Sequence, residues 1–341
     1  MKRPARVISS VVIIVLLALL GGAIVLSAPV GDPDLTSRPD PATSYQDALG
    51  RIATVRAAET KLPLQTITHS FALLHGSTVA TAVVIFHGYT HSPYQWRAAA
   101  KGFYDAGYNV WVPLAPYHGY ADRMTDALSL LTPGKLRAYA DGAVDIGAGL
   151  GRHVEVVGLS TGGDLVAWTA AERPDVDRAI AIAPLQAPKG VPGWVLMPAA
   201  RFFRYVPDVF NWWSQTAKQN NPGPAYPRFS FRGIFAFIQM SEWALRDAER
   251  KPFPVAGSYE LVINDNDKSV DNAWALHVTR LLARPGRLKI FDIPASYGFG
   301  HDLVEPAGEN KAVIGRVYPV LGLARGVTLP DPVPYSRDAT P

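Results

Sequence analysis

The chain of 341 residues contains no cysteine. That excludes disulfides, thiolate metal sites and cysteine nucleophiles together. It says nothing about compartment, since a chain without thiols suits any redox poise. An excess of one charge is also missing. The formal net charge is +4, and without Lys2, Arg3 and Arg6 the remainder carries +1. Such a balance gives nucleic-acid binding no electrostatic support. Acidic residues almost vanish from residues 185–241, where Asp208 stands alone against Lys189, Arg201, Arg204, Lys218, Arg228 and Arg232. Hydrophobic residues are plentiful at 48%, ample for a packed core and too many for a disordered chain. The length suits one large α/β domain with an insertion, or two smaller domains. No internal repeat is visible.

Residues 7–28 carry no charge and follow Lys2, Arg3 and Arg6. About 20 such residues span a bilayer core as a helix, and basic residues stay on the cytoplasmic side. The expectation is an uncleaved signal anchor with the remainder extracytoplasmic. The alternative is a secreted protein released by signal cleavage, with Val25 and Ser27 before the cut. The apolar run exceeds the usual h-region of about 7–15 residues, and Leu26-Ser27-Ala28-Pro29 makes a poor cleavage site. Residues 29–43, rich in Pro, Asp and Ser, read as a tether lifting the domain off the membrane.

Ser44-Tyr45-Gln46-Asp47 resembles a capping box that opens a helix to about residue 61. From there strands and helices alternate. Strands are expected at 64–74, 81–86, 109–114, 153–157, 176–183, 259–264 and 288–293. Helices are expected at 93–106, 133–150, 163–171, 270–282 and 309–323, the first with Ser92 as N-cap and Pro93 at the first helical position. This alternation predicts an α/β fold, with a mostly parallel sheet covered on both faces. The pattern breaks over 185–254, which holds Trp194, Trp212, Trp213 and Trp243, half of the eight tryptophans. This segment reads as a mostly helical insertion over the site. Its aromatics, among them Phe202, Phe203, Phe210, Trp212 and Trp213, either line an apolar pocket or form the insertion's own core.

Gly158-Leu159-Ser160-Thr161-Gly162 lies between a β-branched run and a helical pattern. A serine at a sharp strand-to-helix turn can expose a nucleophilic hydroxyl, and Gly158 and Gly162 would relieve the crowding there. A serine hydroxyl needs an adjacent base oriented by a carboxylate. In this arrangement the chain order is serine, acid, histidine. Only His277 and His301 follow a suitable acid. His277 falls inside a helix, whereas His301 sits in a loop after the last strand, where a base must enter. The acid follows the strand 259–264. Asp267, three residues before an apolar helix start, is the choice, and Asp265 is the alternative. An oxyanion hole would use the N–H of Thr161 and that of Tyr89, with Gly88 allowing close backbone approach. His87 precedes the serine, so an orienting or packing role is expected for it.

His87-Gly88-Tyr89-Thr90-His91-Ser92-Pro93-Tyr94-Gln95-Trp96 and Gly158-Leu159-Ser160-Thr161-Gly162-Gly163 resemble motifs of the α/β-hydrolase superfamily, while Pro116-Tyr117-His118-Gly119 matches in part the Pro-Gly-His-Gly that members often carry after the fourth strand. Within it they look like the bacterial carboxylesterase and monoacylglycerol-lipase-like branch. The resemblance covers about residues 64–323. It implies an eight-stranded-type sheet with a cap at 185–254; the expected hydrolase domain is residues 44–330, followed by a tail at 331–341. It also implies Ser160, Asp267 and His301 as nucleophile, acid and base, with Tyr89 and Thr161 as oxyanion donors. The implied reaction hydrolyses a small-molecule or lipid ester through an acyl-enzyme, with no metal or organic cofactor. A serine aminopeptidase, a thioesterase and a catalytically silent binding protein are the competing readings. The basic excess of residues 185–241 disfavours recognition of an amino terminus.

Overall fold

The computed structural model describes residues 34–219, 223–250, 256–283, 286–306 and 312–323. The elements run in order as α1 (Tyr45–Glu59), β1 (Phe71–Leu73), β2 (Val79–Phe86), α2 (Arg97–Asp105), β3 (Asn109–Val112), α3 (Pro133–Leu150), β4 (Gly151–Leu159), α4 (Thr161–Glu172) and β5 (Arg178–Ile182). They continue as α5 (Gly193–Tyr205), β6 (Phe210–Trp212), α6 (Gln215–Gln219), β7 (Arg228–Ser230), α7 (Phe231–Arg250), β8 (Ser258–Asn264), α8 (Asn272–Leu282), β9 (Leu288–Ile293) and α9 (Val313–Arg316). The expected signal anchor at 1–28 and the tail at 331–341 lie outside the described residues. Among the described residues no helix is long and apolar enough to cross a membrane.

The main sheet has the order β1-β3-β2-β4-β5-β8-β9. β1 is antiparallel to β3, and every other neighbouring pair is parallel. The central strands are continuous apolar runs because helices flank the sheet; Ala82 to Phe86 on β2 are all fully buried. The strand order reverses at β2. The chain steps from β2 outward to β3, then returns to the other side of β2 as β4. Ligands of open α/β sheets bind where this reversal opens a crevice at the carboxyl ends of the strands.

Four expectations need correction. Seven strands, rather than eight, form the main sheet among the described residues. The strand expected at 64–74 shrinks to Phe71–Leu73, because the Thr68 N–H turns back to Gln65 O at 3.0 Å and the Thr68 hydroxyl bonds the same oxygen at 2.8 Å. The helix expected at 93–106 begins as a 3-10 turn over Pro93–Trp96, and Ser92 gives it no side-chain cap. The last helix is broken: α9 spans one turn, and a 3-10 turn over Tyr318–Leu321 ends at Gly322 with φ 82°.

The tether also differs from expectation where it is described. Ser37 N–H donates to Glu172 at 3.1 Å, Arg38 N–H to Asp141 at 3.0 Å and Ala42 N–H to Asp145 O at 2.9 Å. Leu35 is buried, and its carbonyl accepts from Trp168 Nε1 at 2.9 Å. Residues 34–43 are therefore a strap seated on α3 and α4. Beneath it the fully buried Arg173 pairs with Asp141, Asp145 and Asp175 at 3.2, 2.7 and 2.7 Å. At α1 the Ser44 hydroxyl accepts the Asp47 N–H at 3.1 Å, while Asp47 returns its bond to Thr43 N–H at 3.0 Å, one residue earlier than the usual box.

The insertion divides in two. α5, the antiparallel β6–β7 pair and α6 come first. α7 then lies along α4, with α3 and α8 beside it, as a crossover helix leading into β8. Phe203 stacks on Phe231 and Phe235 with centroids 5.0 and 5.3 Å apart, so these aromatics form a small core of their own.

Two glycine substitutions separate packing from propensity. A Cβ at Gly162 would lie 2.2 Å from the carbonyl oxygen of Phe86, whereas one at Gly142, on the exposed side of α3, meets nothing within 4 Å. Gly142→Ala is expected to stabilise by about 0.5–1 kcal/mol through helix propensity. Gly162→Ala is expected to destabilise by more than about 2 kcal/mol, as overpacking against backbone does. Urea melts of the two variants check both signs.

Candidate active site

Ser160 joins β4 to α4 with φ 58° and ψ −119°, a conformation that side-chain-bearing residues avoid. Its surroundings hold it there. Ser160 N–H donates to Ile182 O at 2.9 Å, and its carbonyl accepts from Gly163, Leu185 and Asp164 at 2.8, 3.1 and 3.3 Å. The flanking glycines are required sterically. A Cβ on Gly158 would lie 2.3 Å from Gly162 O, and one on Gly162 would strike Phe86 as noted above. The turn thus presses the start of α4 against the ends of β2 and β4 and leaves Ser160 half-buried at the crevice.

β8 ends at Asn264, and Asp267 follows in a short turn. Its carboxylate is 1% exposed and accepts from Ser269 N–H at 2.7 Å and Val270 N–H at 3.2 Å through Oδ1. Through Oδ2 it meets His301 Nδ1 at 2.7 Å. Burial opposes its charge, but the His301 contact and the two N–H groups prevail and hold its pKa below the ordinary 3.8. A carboxylate accepts, so Nδ1 of His301 carries the proton in this network, and Nε2 is left with a lone pair. Asn264 steadies the histidine loop by donating from Nδ2 to Phe299 O at 3.1 Å and Gly300 O at 2.8 Å. Asp265 is exposed, and among the described residues only its N–H is engaged, with Ile293 O at 3.1 Å. His277 is exposed on α8 beside Trp274. The geometry therefore joins Asp267 to His301 and leaves the alternatives apart from it. Among the described residues no hydrogen bond links Ser160 Oγ to His301.

Tyr89 and Thr161 follow the carboxyl ends of β2 and β4, on neighbouring strands. Neither backbone N–H has an acceptor among the described residues. Thr161 N–H also lies in the first turn of α4, whose positive dipole end favours a developing anion. The loop at 87–90 is braced throughout. Ala115 N–H donates to His87 Nε2 at 3.0 Å, so the imidazole proton is on Nδ1 and goes to Gly88 O at 2.9 Å. Burial, with His118 close by, holds His87 well below the ordinary histidine pKa, so it stays neutral. His118 is likewise pushed down by burial, to about 4. At Gly88 an added Cβ would find Gln95 Oε1 at 3.4 Å, and the Gly88 N–H is donated to the same oxygen at 2.9 Å.

The insertion reaches down to the same loop. Tyr226 N–H donates to Thr90 O at 2.9 Å, Trp213 Nε1 to Thr90 Oγ1 at 2.9 Å and Tyr89 OH to Ser230 O at 2.9 Å. Sequence reasoning missed two polar residues here, Gln95 and Asp302, which are joined at 2.8 Å. Neither carries a spacing signal. Among the described residues one group brings metal-ligand atoms together: His91, Asp302 and Glu305, within 4.8 Å of one another. The Asp302 carboxylate in it already takes Gln95 Nε2 on Oδ2 and the N–H groups of Val304 and Glu305 on Oδ1.

Residues 81–231 match the profile of a family described as alpha/beta hydrolase fold. No curated protein matches the chain. Among solved structures, a metagenome-derived lipolytic enzyme of the LipS and LipT pair is similar, with 19% identity, a TM-score of 0.56 and coverage of 76% of this chain and 99% of its own. A soluble variant of the monoglyceride lipase of Saccharomyces cerevisiae, solved with a substrate analogue, gives 14% identity and a TM-score of 0.53, covering 74% of this chain and 90% of that one. The monoacylglycerol lipase of Paleococcus ferrophilus gives 17% identity and a TM-score of 0.51, covering 74% and 97%. With its reversal of strand order at β2 and a strained serine at the following crevice, the chain has the α/β-hydrolase fold.

Proposed function

We propose that the protein is a serine hydrolase of carboxylic esters with an apolar acyl or alkyl group. The observation that carries this reading is the His301–Asp267 pair facing the edge of the sheet where Ser160 is held in a strained turn. β4 and β8 are separated by β5, so their ends stand about 10 Å apart. A hydroxyl, imidazole and carboxylate in line suit that span. In the proposed reaction Ser160 Oγ attacks the ester carbonyl as His301 Nε2 takes its proton. The carbonyl oxygen becomes an oxyanion that receives the N–H groups of Tyr89 and Thr161. Collapse expels the alcohol, which takes the proton from His301, and leaves Ser160 acylated. Water, deprotonated by the same nitrogen, then releases the acid and restores the hydroxyl. The serine–imidazole bond closes as substrate fills the crevice, as such bonds often tighten only in complexes.

The similarity to a metagenome-derived lipolytic enzyme and to a yeast monoglyceride lipase agrees with an ester substrate. The aminopeptidase reading loses its one candidate amine-binding acid. Asp208 is occupied inside the insertion, accepting from Ser230 Oγ at 2.5 Å and from Arg232 N–H at 3.0 Å. The membrane reading stays part of the proposal: the uncharged run at residues 7–28 anchors the protein, with the hydrolase domain outside the cytoplasm.

An active-site-directed fluorophosphonate is expected to label the protein, and Ser160→Ala to abolish labelling. Ser160→Ala and His301→Ala should each lower p-nitrophenyl ester turnover by about 10³-fold or more with an unchanged far-UV spectrum. Folded protein that is neither labelled nor active would point to a silent binding module.

Asp267→Asn is expected to cut kcat by about 10³-fold or more, and Asp265→Asn to leave it within about threefold. The acid limb of stability tests the same carboxylate. Its folded-state pKa is lowered, so its contribution is present above about pH 4 and is lost as pH falls through the depressed value. Asp267→Asn should therefore flatten the fall in thermal midpoint below about pH 4.

Full-length protein expressed in bacteria should remain in the membrane fraction after alkaline carbonate extraction, with an amino terminus at or near Met1. A mature terminus near Ala28 would establish secretion instead.

A further inference from the structure

Two loops must be held in register for the proposed reaction. One presents Tyr89 N–H and the other presents His301. They lie about two hundred residues apart in sequence, and one buried side chain connects them. Gln95, 3% exposed, accepts the Gly88 N–H on Oε1 at 2.9 Å and donates from Nε2 to Asp302 Oδ2 at 2.8 Å. A peptide N–H can only donate. The amide oxygen must therefore face Gly88, and the amide nitrogen must face the carboxylate. Asp302 directly follows His301, and its Oδ1 accepts the N–H groups of Val304 at 2.9 Å and Glu305 at 3.0 Å. At the other end, Gly88 is fixed on both sides, its N–H by Gln95 and its carbonyl by His87.

We infer that Gln95 and Asp302 form a positioning pair that sets the separation between the oxyanion donor at Tyr89 and the base His301. This rests on the reading of Ser160 and His301 given above. Neither residue touches the reacting atoms. Their effect is geometric, and a misplacement of about 1 Å in a catalytic group can cost about 10²-fold in rate.

The hydrogen bonds have a direction, and that direction can be reversed. Gln95→Glu alone sets two carboxylates against each other. Asp302→Asn alone sets two amide nitrogens face to face, or withdraws the acceptor from Val304 and Glu305. Together the substitutions restore the bond between the two side chains and those to Gly88, Val304 and Glu305, with the polarity of the central bond inverted. The introduced carboxylate accepts from Gly88 N–H and from the introduced asparagine amide, whose oxygen still accepts from Val304 and Glu305.

The test is a double-mutant cycle on the full chain, with ester kcat expressed per site titrated by fluorophosphonate. Each single variant is expected to lower kcat by roughly 10–100-fold with KM within about threefold, and the double variant to recover to within about threefold of the parent. A purely structural role would lower the titratable fraction and leave kcat per titrated site unchanged. Gln95→Met, which removes both bonds without adding charge, keeps the test open if a charged single variant fails to fold; it too should lose kcat by about tenfold or more. Singles that keep kcat per site, or a double variant no better than the worse single, would overturn the pair. Failure of the parent protein to label at Ser160 would instead overturn the reading of the site, and this inference with it.

Discussion

Much of this molecule follows from how closely the start of one helix approaches the ends of two strands. Gly162 sits so near the Phe86 carbonyl that no side chain fits, and Gly158 is pressed against Gly162 itself. That approach brings Thr161 N–H alongside the loop after β2, so two backbone donors from different strands can converge on one crevice. It also forces Ser160 to positive φ, at a cost of about 1–3 kcal/mol. The bonds around Ser160 are of the right size to offset it. Its N–H has one acceptor and its carbonyl has three donors, each worth about 1 kcal/mol net. The strain persists because the segment leaving β5 supplies two of these partners, Ile182 O and Leu185 N–H. The first turn of the insertion thus clamps the serine turn.

The insertion accordingly is no freely hinged cover. Its far part is tied to Thr90, itself at φ 63°, and to Tyr89, next to the proposed oxyanion donor. Its aromatics chiefly pack on one another, although Trp194 is 79% exposed and Trp213 46%. Beneath the same loop, His87 and His118 stay neutral in the interior because burial disfavours their charge. The loop that would stabilise an oxyanion is thus held by neutral hydrogen bonds from His87 and Gln95. The Asp302 carboxylate stands behind Gln95 in the same network.

The sequence made the sheet and the serine turn legible for a physical reason. Apolar β-branched runs bounded by turn residues admit few other structures, and Gly-x-Ser-x-Gly between strand and helix states a steric requirement directly. The contact between Asp267 and His301 was legible through chain order, because each follows a strand end where the topology must deliver it. The bond between Gln95 and Asp302 was not, since it spans 207 residues and depends on the register of two loops rather than on any periodicity. The partner of the Gly88 N–H was not legible for a related reason. A glycine beside a site suggests close approach, and nothing in its type shows that its peptide N–H meets the Gln95 amide. The strap at 34–43 was misread because Pro, Asp and Ser compose spacers and seated segments alike. Only the partners Asp141, Glu172 and Trp168 distinguish the two.

That strap bears on how the proposed anchor would orient the domain. α4 starts at the crevice edge and ends at Glu172, about 18 Å away along its axis. Ser37 bonds Glu172 there, and α1 packs on α3 near Gly149, so the chain enters the domain at the edge of the sheet opposite Ser160. Residues 29–33 add at most about 18 Å of chain before the uncharged run begins. With residues 7–28 in a bilayer, the entry edge would be held near the lipid surface and the strand ends bearing Ser160 would sit farther out. Under the proposed anchoring, a water-dispersed ester, or one delivered from a facing surface, would reach the crevice more directly than a lipid in the layer that holds the anchor.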